Sequence, residues 1–210
     1  MKLWSAFYPD VAIEVHGAPD PVVDFWLRAA ATEFFARSKA HVGALDDDVA
    51  LAGQMEYALD PPTRMDVVEI CAVAFAGQPL DPAAPGALGK RFGDWLSETG
   101  TPTHYTQRGD LTSVLLVPAP IDAGGSIKVA AALAPGSAAV GIDDALFARW
   151  HSAISAGCKA KMMMMPSVSW ANPDRAAVHT ATFESAIQAA TTAANDGFVR
   201  SRPRFSGKFC

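Results

Sequence analysis

Apolar residues recur at helical spacing in three segments, and two of them follow each other in the last third of the chain. In the first of this pair, Leu146, Trp150, Ile154 and Cys158 stand at four-residue steps behind Asp143, a side chain suited to an N-cap. That run ends in Met162-Met163-Met164-Met165 and Pro166, whose ring removes a helical N–H. After the loop 166–171, Asn172-Pro173 supplies a cap followed by proline at the first helical position, where the missing N–H costs nothing. Ala176, Thr180, Phe183, Ile187 and Ala190 then form an apolar face, and Asn195-Asp196-Gly197 is a stop with Gly197 as the left-handed residue. The pattern predicts a helical hairpin whose alanine-rich face lets the two helices approach closely. The third segment starts at Asp20-Pro21, another cap-plus-proline signal, and runs to about Lys39. Val23, Leu27, Ala30 and Phe34 form its stripe and Val22, Trp26 and Ala29 flank it, a face wide enough to cover the hairpin. Residues 1–19 are expected to be extended, anchored by Trp4, Phe7, Tyr8 and Pro9.

The middle of the chain changes period. Met55-Glu56-Tyr57-Ala58-Leu59 alternates as a strand does, and Pro61-Pro62 ends it. Residues 67–75 are apolar and rich in β-branched side chains, and Ala76-Gly77-Gln78-Pro79 is a turn. A short helix is expected over 90–98, packing Phe92, Trp95 and Leu96. Residues 103–108 and 111–117 read as paired strands around Gly109-Asp110, and 126–133 as a further strand. Strand signals about ten residues apart, punctuated by glycine and proline, point to antiparallel β structure and not to βαβ units. The fold class expected is therefore α+β: a small helical bundle, made of the N-terminal helix and the C-terminal helical hairpin, with an inserted antiparallel β subdomain. The boundaries read as 1–45 and 141–199 for the helical core, 46–140 for the inserted β subdomain and 200–210 for an extended C-terminal arm.

Charge sharpens this picture. The 210 residues are half apolar and carry a net charge of −5, so a sizeable core is expected and disorder as a whole is not. All of residues 200–210 hold Arg200, Arg202, Arg204 and Lys208 and no acid, leaving an acidic body behind a basic end. A protein that grips DNA through its phosphates would be basic throughout its binding face. In an extended chain the three arginines, alternating with Ser201 and Pro203, point to one side. Phe205 and Phe209 add two apolar anchors four residues apart. Residues 1–10 contain no long apolar run, so no signal segment is expected. The least polar window, 129–142, is interrupted by Pro135 and Gly136 and is too short to span a bilayer.

Chemistry-bearing patterns do not converge. Cys71, Cys158 and Cys210 are odd in number and far apart, which fits neither a disulfide framework nor a zinc ribbon. The five histidines, His16, His41, His104, His151 and His179, form no helical ligand pair. Asp46-Asp47-Asp48 lacks the glycine and glutamate of a calcium loop and reads as a solvated loop or cap. Ala123-Gly124-Gly125-Ser126 reads as a turn, since it lacks the Gly-Lys-Ser/Thr ending of a phosphate loop. The methionine run reads as a helix end filling core gaps with one or two residues outward, and Trp170 as a plug over the hairpin end. No catalytic residue, cofactor or metal is expected.

Three segments read together carry a resemblance. They are Trp4-Ser5-Ala6-Phe7-Tyr8-Pro9-Asp10-Val11 through Val15-His16-Gly17-Ala18-Pro19-Asp20-Pro21 into the first helix; Met55-Glu56-Tyr57-Ala58-Leu59 with Gly77-Gln78-Pro79-Leu80; and Ala156-Gly157-Cys158-Lys159-Ala160 through Met165-Pro166, Trp170-Ala171-Asn172-Pro173 and Phe183-Glu184. Over nearly the whole chain the sequence resembles the head-to-tail connector (adaptor) proteins of tailed phages, akin to the tail tubular protein A of short-tailed phages. It departs from them in Lys159, Lys161 and the four methionines, where family members carry an alanine- or leucine-rich helix end. The resemblance implies a virion structural protein of the neck, made in the host cytoplasm. It implies a ring of twelve copies between the portal protein and the tail or next neck protein, lining a channel that DNA crosses without specific binding. It also makes the C-terminal arm, with Arg200, Arg202, Arg204, Phe205, Lys208 and Phe209, the expected contact to the portal or an adjacent subunit. Another neck ring, a stopper or a tail terminator, is the alternative. A small-ligand-binding protein or an enzyme ranks behind it, since no nucleophile, base or metal set assembles.

Overall fold

The computed structural model describes residues 1–109 and 111–196. The described chain is mixed α/β, with five α-helices and several small sheets. It runs β1 (Lys2–Leu3), a 3-10 turn (Trp4–Phe7), α1 (Tyr8–Ala12), α2 (Asp20–Ser38), β2 (Val42–Ala44), β3 (Asp48–Val49), β4 (Glu56–Ala58) and β5 (Met65–Phe75). Then come β6 (Gln78–Pro79), β7 (Asp81–Pro82), α3 (Pro85–Phe92), β8 (Thr99–Gly100), β9 (His104–Gln107), β10 (Ser113–Val117) and β11 (Ala119–Pro120). The last elements are β12 (Ser126–Pro135), β13 (Gly141–Ile142), α4 (Asp144–Met163) and α5 (Pro173–Asn195).

The long helices start at or beside their local signals; at α2 the N-cap is Pro19, and Asp20, expected as the cap, is the first helical residue. Asn172 caps α5 by accepting the Arg175 backbone N–H at 3.1 Å, with Pro173 in the first turn. Asp143 occupies the N-cap position of α4 and its carbonyl accepts the Phe147 N–H at 2.8 Å, although its side chain makes no capping bond. Lys39 ends α2 in the left-handed region, its N–H donating to the Phe35 carbonyl at 2.9 Å. The α4–α5 connection is closed by the Asn172 N–H donating to the Met163 carbonyl at 3.0 Å. Ile154, Cys158 and Met162 of α4 meet Ala176, Phe183 and Ile187 of α5 and Leu27 and Phe34 of α2 in one apolar cluster. Gly157 explains the close approach, because a Cβ there would lie 2.7 Å from the Phe183 ring. Thr180, placed on the apolar face by its spacing, is instead exposed.

The strands form two main sheets around a second apolar cluster. β12 is the central strand of the larger one, in the order β2-β12-β5-β6, and β3 adds to its start. It pairs with β5 from Ile127 opposite Phe75 to Pro135 opposite Met65, with two register shifts. The other sheet has the order β4-β10-β9-β7. Alternating side chains of both, including Val73, Val114, Leu116, Ile127, Val129 and Leu133, fill their shared core. Pairing is antiparallel except for β7 with β9 and β8 with β11, which run parallel.

Two further local expectations fail. Residues 1–19 are not extended, because burying both Trp4 and Phe7 bends the chain into the 3-10 turn and α1, with Pro9 in the first helical turn where proline fits. The Trp4 indole N–H donates to the buried Ala139 carbonyl at 2.9 Å. The helix expected over 90–98 lies instead at α3, opened by Pro85, buried at Leu88 and ended by Gly93 at φ 65°. Leu96 is exposed.

Helix and sheet are joined along one seam. Thr32 of α2 donates to the Pro135 carbonyl at 2.7 Å, and Arg28 donates to the Ser137 carbonyl at 2.7 Å. Ala134, Ala139 and Ile142 belong to the helical cluster, while Leu133, one residue before Ala134, belongs to the sheet cluster.

Candidate interaction surfaces

The arm residues Arg200, Arg202, Arg204, Phe205, Lys208 and Phe209, and the stop residue Gly197, lie outside the described residues. The other segments singled out by sequence are placed. Met162 and Met163 are core, Met164 is exposed, and Trp170 packs against the helical cluster over the hairpin end. His151 stacks on Phe147, and its Nε2 stands 3.8 Å from the Asp10 carboxylate. His104 is buried between α3 and β9, where Arg91 donates to its Nε2 at 2.9 Å and Thr103 Oγ1 lies 2.8 Å from Nδ1. Arginine can only donate, so Nε2 is the acceptor and the ring proton sits on Nδ1. That arrangement ties α3 to the start of β9. No group of three metal-capable side chains exists among the described residues, and no described helix is long and apolar enough to cross a membrane.

A charge hub went unread in the sequence. Glu14, just after α1, is only 15% exposed and gathers three nitrogen partners. Lys159 Nζ of α4 is at 2.7 Å, Arg175 of α5 at 2.9 Å and His179 Nε2 of α5 at 2.9 Å. The Lys159 hydrogen bond, opposed by burial and assisted by His179, holds the Glu14 carboxyl down at about 2. The hub ties the N-terminal turn across the open edge of the hairpin. The same residues at sequence separations of 145 and 165 gave no local pattern to find. A second network joins Arg37 of α2 to Glu33 and, in a two-pronged contact, to Glu184 of α5, while Lys161 reaches Glu33 at 2.6 Å. Burial alone would raise Glu33, but Lys161 and Arg37 hold its carboxyl below the usual range.

Two of the concave surfaces bring apolar walls and several charged side chains together. One, of about 500 Å³, runs beside exposed Phe25, which meets Trp26 edge-to-face at 5.0 Å, and is lined by Arg28, Thr32, Asp66 and Pro135. The other, of about 290 Å³, opens between the two main sheets. Its floor is Leu45, Tyr57, Val114, Ile127 and Val129, all buried, and its mouth carries Asp46, Asp47, Asp48 and Asp60. Lys128 lies 3.2 Å from Asp47, and Asp48 accepts the Val49 N–H at 2.7 Å. The aspartate triplet is thus the rim of an apolar cavity, which its sequence reading as a plain solvated loop did not include.

Both surfaces combine apolar walls with charged side chains at their edges. A comparison with curated proteins finds no match. The family model described as SU10 adaptor protein matches residues 7–204, nearly the full length of the chain. The chain therefore belongs to the SU10 adaptor protein family, a family of phage adaptor proteins and virion structural components.

Proposed function

We propose that the chain is a head-to-tail adaptor that assembles as a ring of twelve copies between the portal protein and the tail or next neck protein, lining the DNA channel of the virion neck. Membership of the adaptor family over residues 7–204 carries this reading. The acidic body supports it, since a conduit of like charge to DNA lets the genome pass without adhering. In this reading residues 1–45 and 141–199 are the helical core, 46–140 the inserted β subdomain and 200–210 the attachment arm. The arm reaches the portal or an adjacent subunit, pairs its arginines with acidic side chains and buries Phe205 and Phe209. Exposed ion pairs contribute only about 0.2–1 kcal/mol each, whereas a fully buried phenylalanine contributes roughly 1.5–3 kcal/mol. The phenylalanines should therefore dominate attachment.

Sedimentation of the pure protein with isolated portal rings tests the role. Co-sedimentation is expected for the full chain and is expected to be lost on deletion of residues 200–210, with the melting temperature nearly unchanged. Phe205→Ala with Phe209→Ala should weaken attachment more than Arg200→Ala with Arg202→Ala. Absence of portal binding at every salt concentration would remove the adaptor role, and normal attachment of the truncated chain would remove the arm from it.

A further inference from the structure

We infer that the acidic-rimmed cavity between the two main sheets is the acceptor for the basic, aromatic arm of an adjoining copy of the chain, an inference that rests on the ring reading above. The cavity has the two properties such an acceptor needs. Its floor is closed and apolar, with Val114 and Ile127 each 1% exposed. Its volume of about 290 Å³ suits a side chain or two of aromatic size, not a folded element. Its mouth is strongly one-signed. Four carboxylates surround it, Lys128 offsets Asp47 alone, and among the described residues neither Asp46 nor Asp60 has a cation in contact.

The same chain carries the complement. Residues 200–210 hold four cations, two phenylalanines and no acidic side chain, in an otherwise acidic protein. An arginine at the mouth and a phenylalanine on the floor satisfy both halves of the cavity together. Charge-assisted pairing at the rim then sets register while apolar burial supplies affinity. The aspartates alone would attract any cation. It is the apolar floor beneath them that selects a segment in which arginine and phenylalanine stand within a few residues of each other.

Ring closure calls for a second copy and not the chain's own cavity. α5, which precedes the arm, packs on α4 and α2, whereas the cavity is lined only by residues of the β region and its loops. A chain spans at most about 3.3–3.6 Å per residue, so residues 197–209 could bridge to a neighbour roughly 45 Å away at full extension. Head-to-tail contacts of this kind, each arm on the next subunit, are what close a ring.

Paired cysteines test the inference in the full chain. The donor carries Cys71→Ser and keeps Cys210. The acceptor carries Cys71→Ser, Cys210→Ser and Asp60→Cys at the cavity mouth. A control acceptor carries Thr182→Cys, on the exposed side of α5, in place of Asp60→Cys. Cys158 is fully buried and stays silent. Donor and acceptor are distinguished by isotope mass, mixed, and oxidised with and without portal rings. The mixed disulfide is expected to form at least about tenfold faster with Asp60→Cys than with Thr182→Cys, because docking raises the local thiol concentration. Phe209→Ala in the donor should bring the two rates together. Equal rates for the two acceptors would overturn the inference. So would a chain bearing both Cys210 and Asp60→Cys that closes on itself without linking copies. Portal sedimentation of the same variants separates the two readings. Attachment without a fast mixed disulfide removes the cavity and leaves the adaptor role. A fast mixed disulfide without attachment removes the adaptor role and leaves the arm in its cavity.

Discussion

Glu14→Gln is a sharp test of how the N-terminal turn is held to the hairpin. The substitution keeps size and hydrogen-bonding atoms but removes the charge that Lys159, Arg175 and His179 surround. Lys159 and His179 are each only 14% exposed, so water replaces the lost partner poorly. In the folded protein the Glu14 carboxyl falls from 4.5 to about 2. At about 1.4 kcal/mol per pH unit, the charged form is worth roughly 3 kcal/mol of stability near neutral pH. For a chain of this size that corresponds to a drop of roughly 6–12 °C in melting temperature. The sign with pH follows from the direction of the shift. A carboxyl with a depressed folded pKa contributes fully above its ordinary value and loses that contribution as pH falls through the folded value. Thermal unfolding of the wild type and Glu14→Gln between pH 7 and pH 2 is the assay. The gap should be widest at neutral pH and narrow below about pH 4.5, closing near pH 2. A gap under about 1 °C at pH 7, against the 2–4 °C per kcal/mol typical of this size, would refute the clamp. A gap that stays constant on acidification would refute its electrostatic origin.

Other changes probe the packing. Gly157→Ala drives a Cβ against the Phe183 ring and should cost about 1–3 kcal/mol in chemical denaturation, with Phe183→Leu recovering part of the loss in the double variant. Asn172→Ala removes the cap of α5 and should cost about 1 kcal/mol, with no change in the denaturant slope. Burial pushes the Cys158 thiol up to about 12, so iodoacetamide at pH 8 should label exposed Cys71 well before Cys158. Comparable native-state labelling of both would mean that the helical cluster is open.

Elements with a local cause could be read from the chain. Pro173 behind Asn172 and Pro21 behind Asp20 mark helix starts, and the spacing of Phe183, Ile187 and Ala190 marks the buried side of α5. The strand signals around Tyr57 and through Val73 were equally local. What escaped depends on distant partners. Trp4 and Phe7 bend the N-terminal segment because their pocket is made by α2, α4 and the 139–142 segment, which no window around residue 7 contains. The bounds of α3 have a local cause as well: Pro85 starts the helix and Gly93 ends it, so the apolar triplet Phe92, Trp95 and Leu96 straddles a terminator. The Glu14 hub and the rim of the cavity are both assemblies of residues unremarkable one at a time. A lone glutamate and a run of aspartates acquire meaning only when lysine 159 or a buried valine is brought beneath them.

The seam between helices and sheets decides how force crosses the subunit. Between one residue and the next the chain passes from Leu133, in the sheet core, to Ala134, in the helical core. Thr32 and Arg28 bind the carbonyls of Pro135 and Ser137, Trp4 binds that of Ala139, and β1 pairs with β13 just beyond. Four contacts from the first helical region thus converge on residues 135–142, immediately before α4. A load applied to the sheets would reach the hairpin through backbone carbonyls held by side chains, which stretch little before they break. Gly141 marks how tight the seam is, since a Cβ there would lie 2.0 Å from the Lys2 carbonyl oxygen.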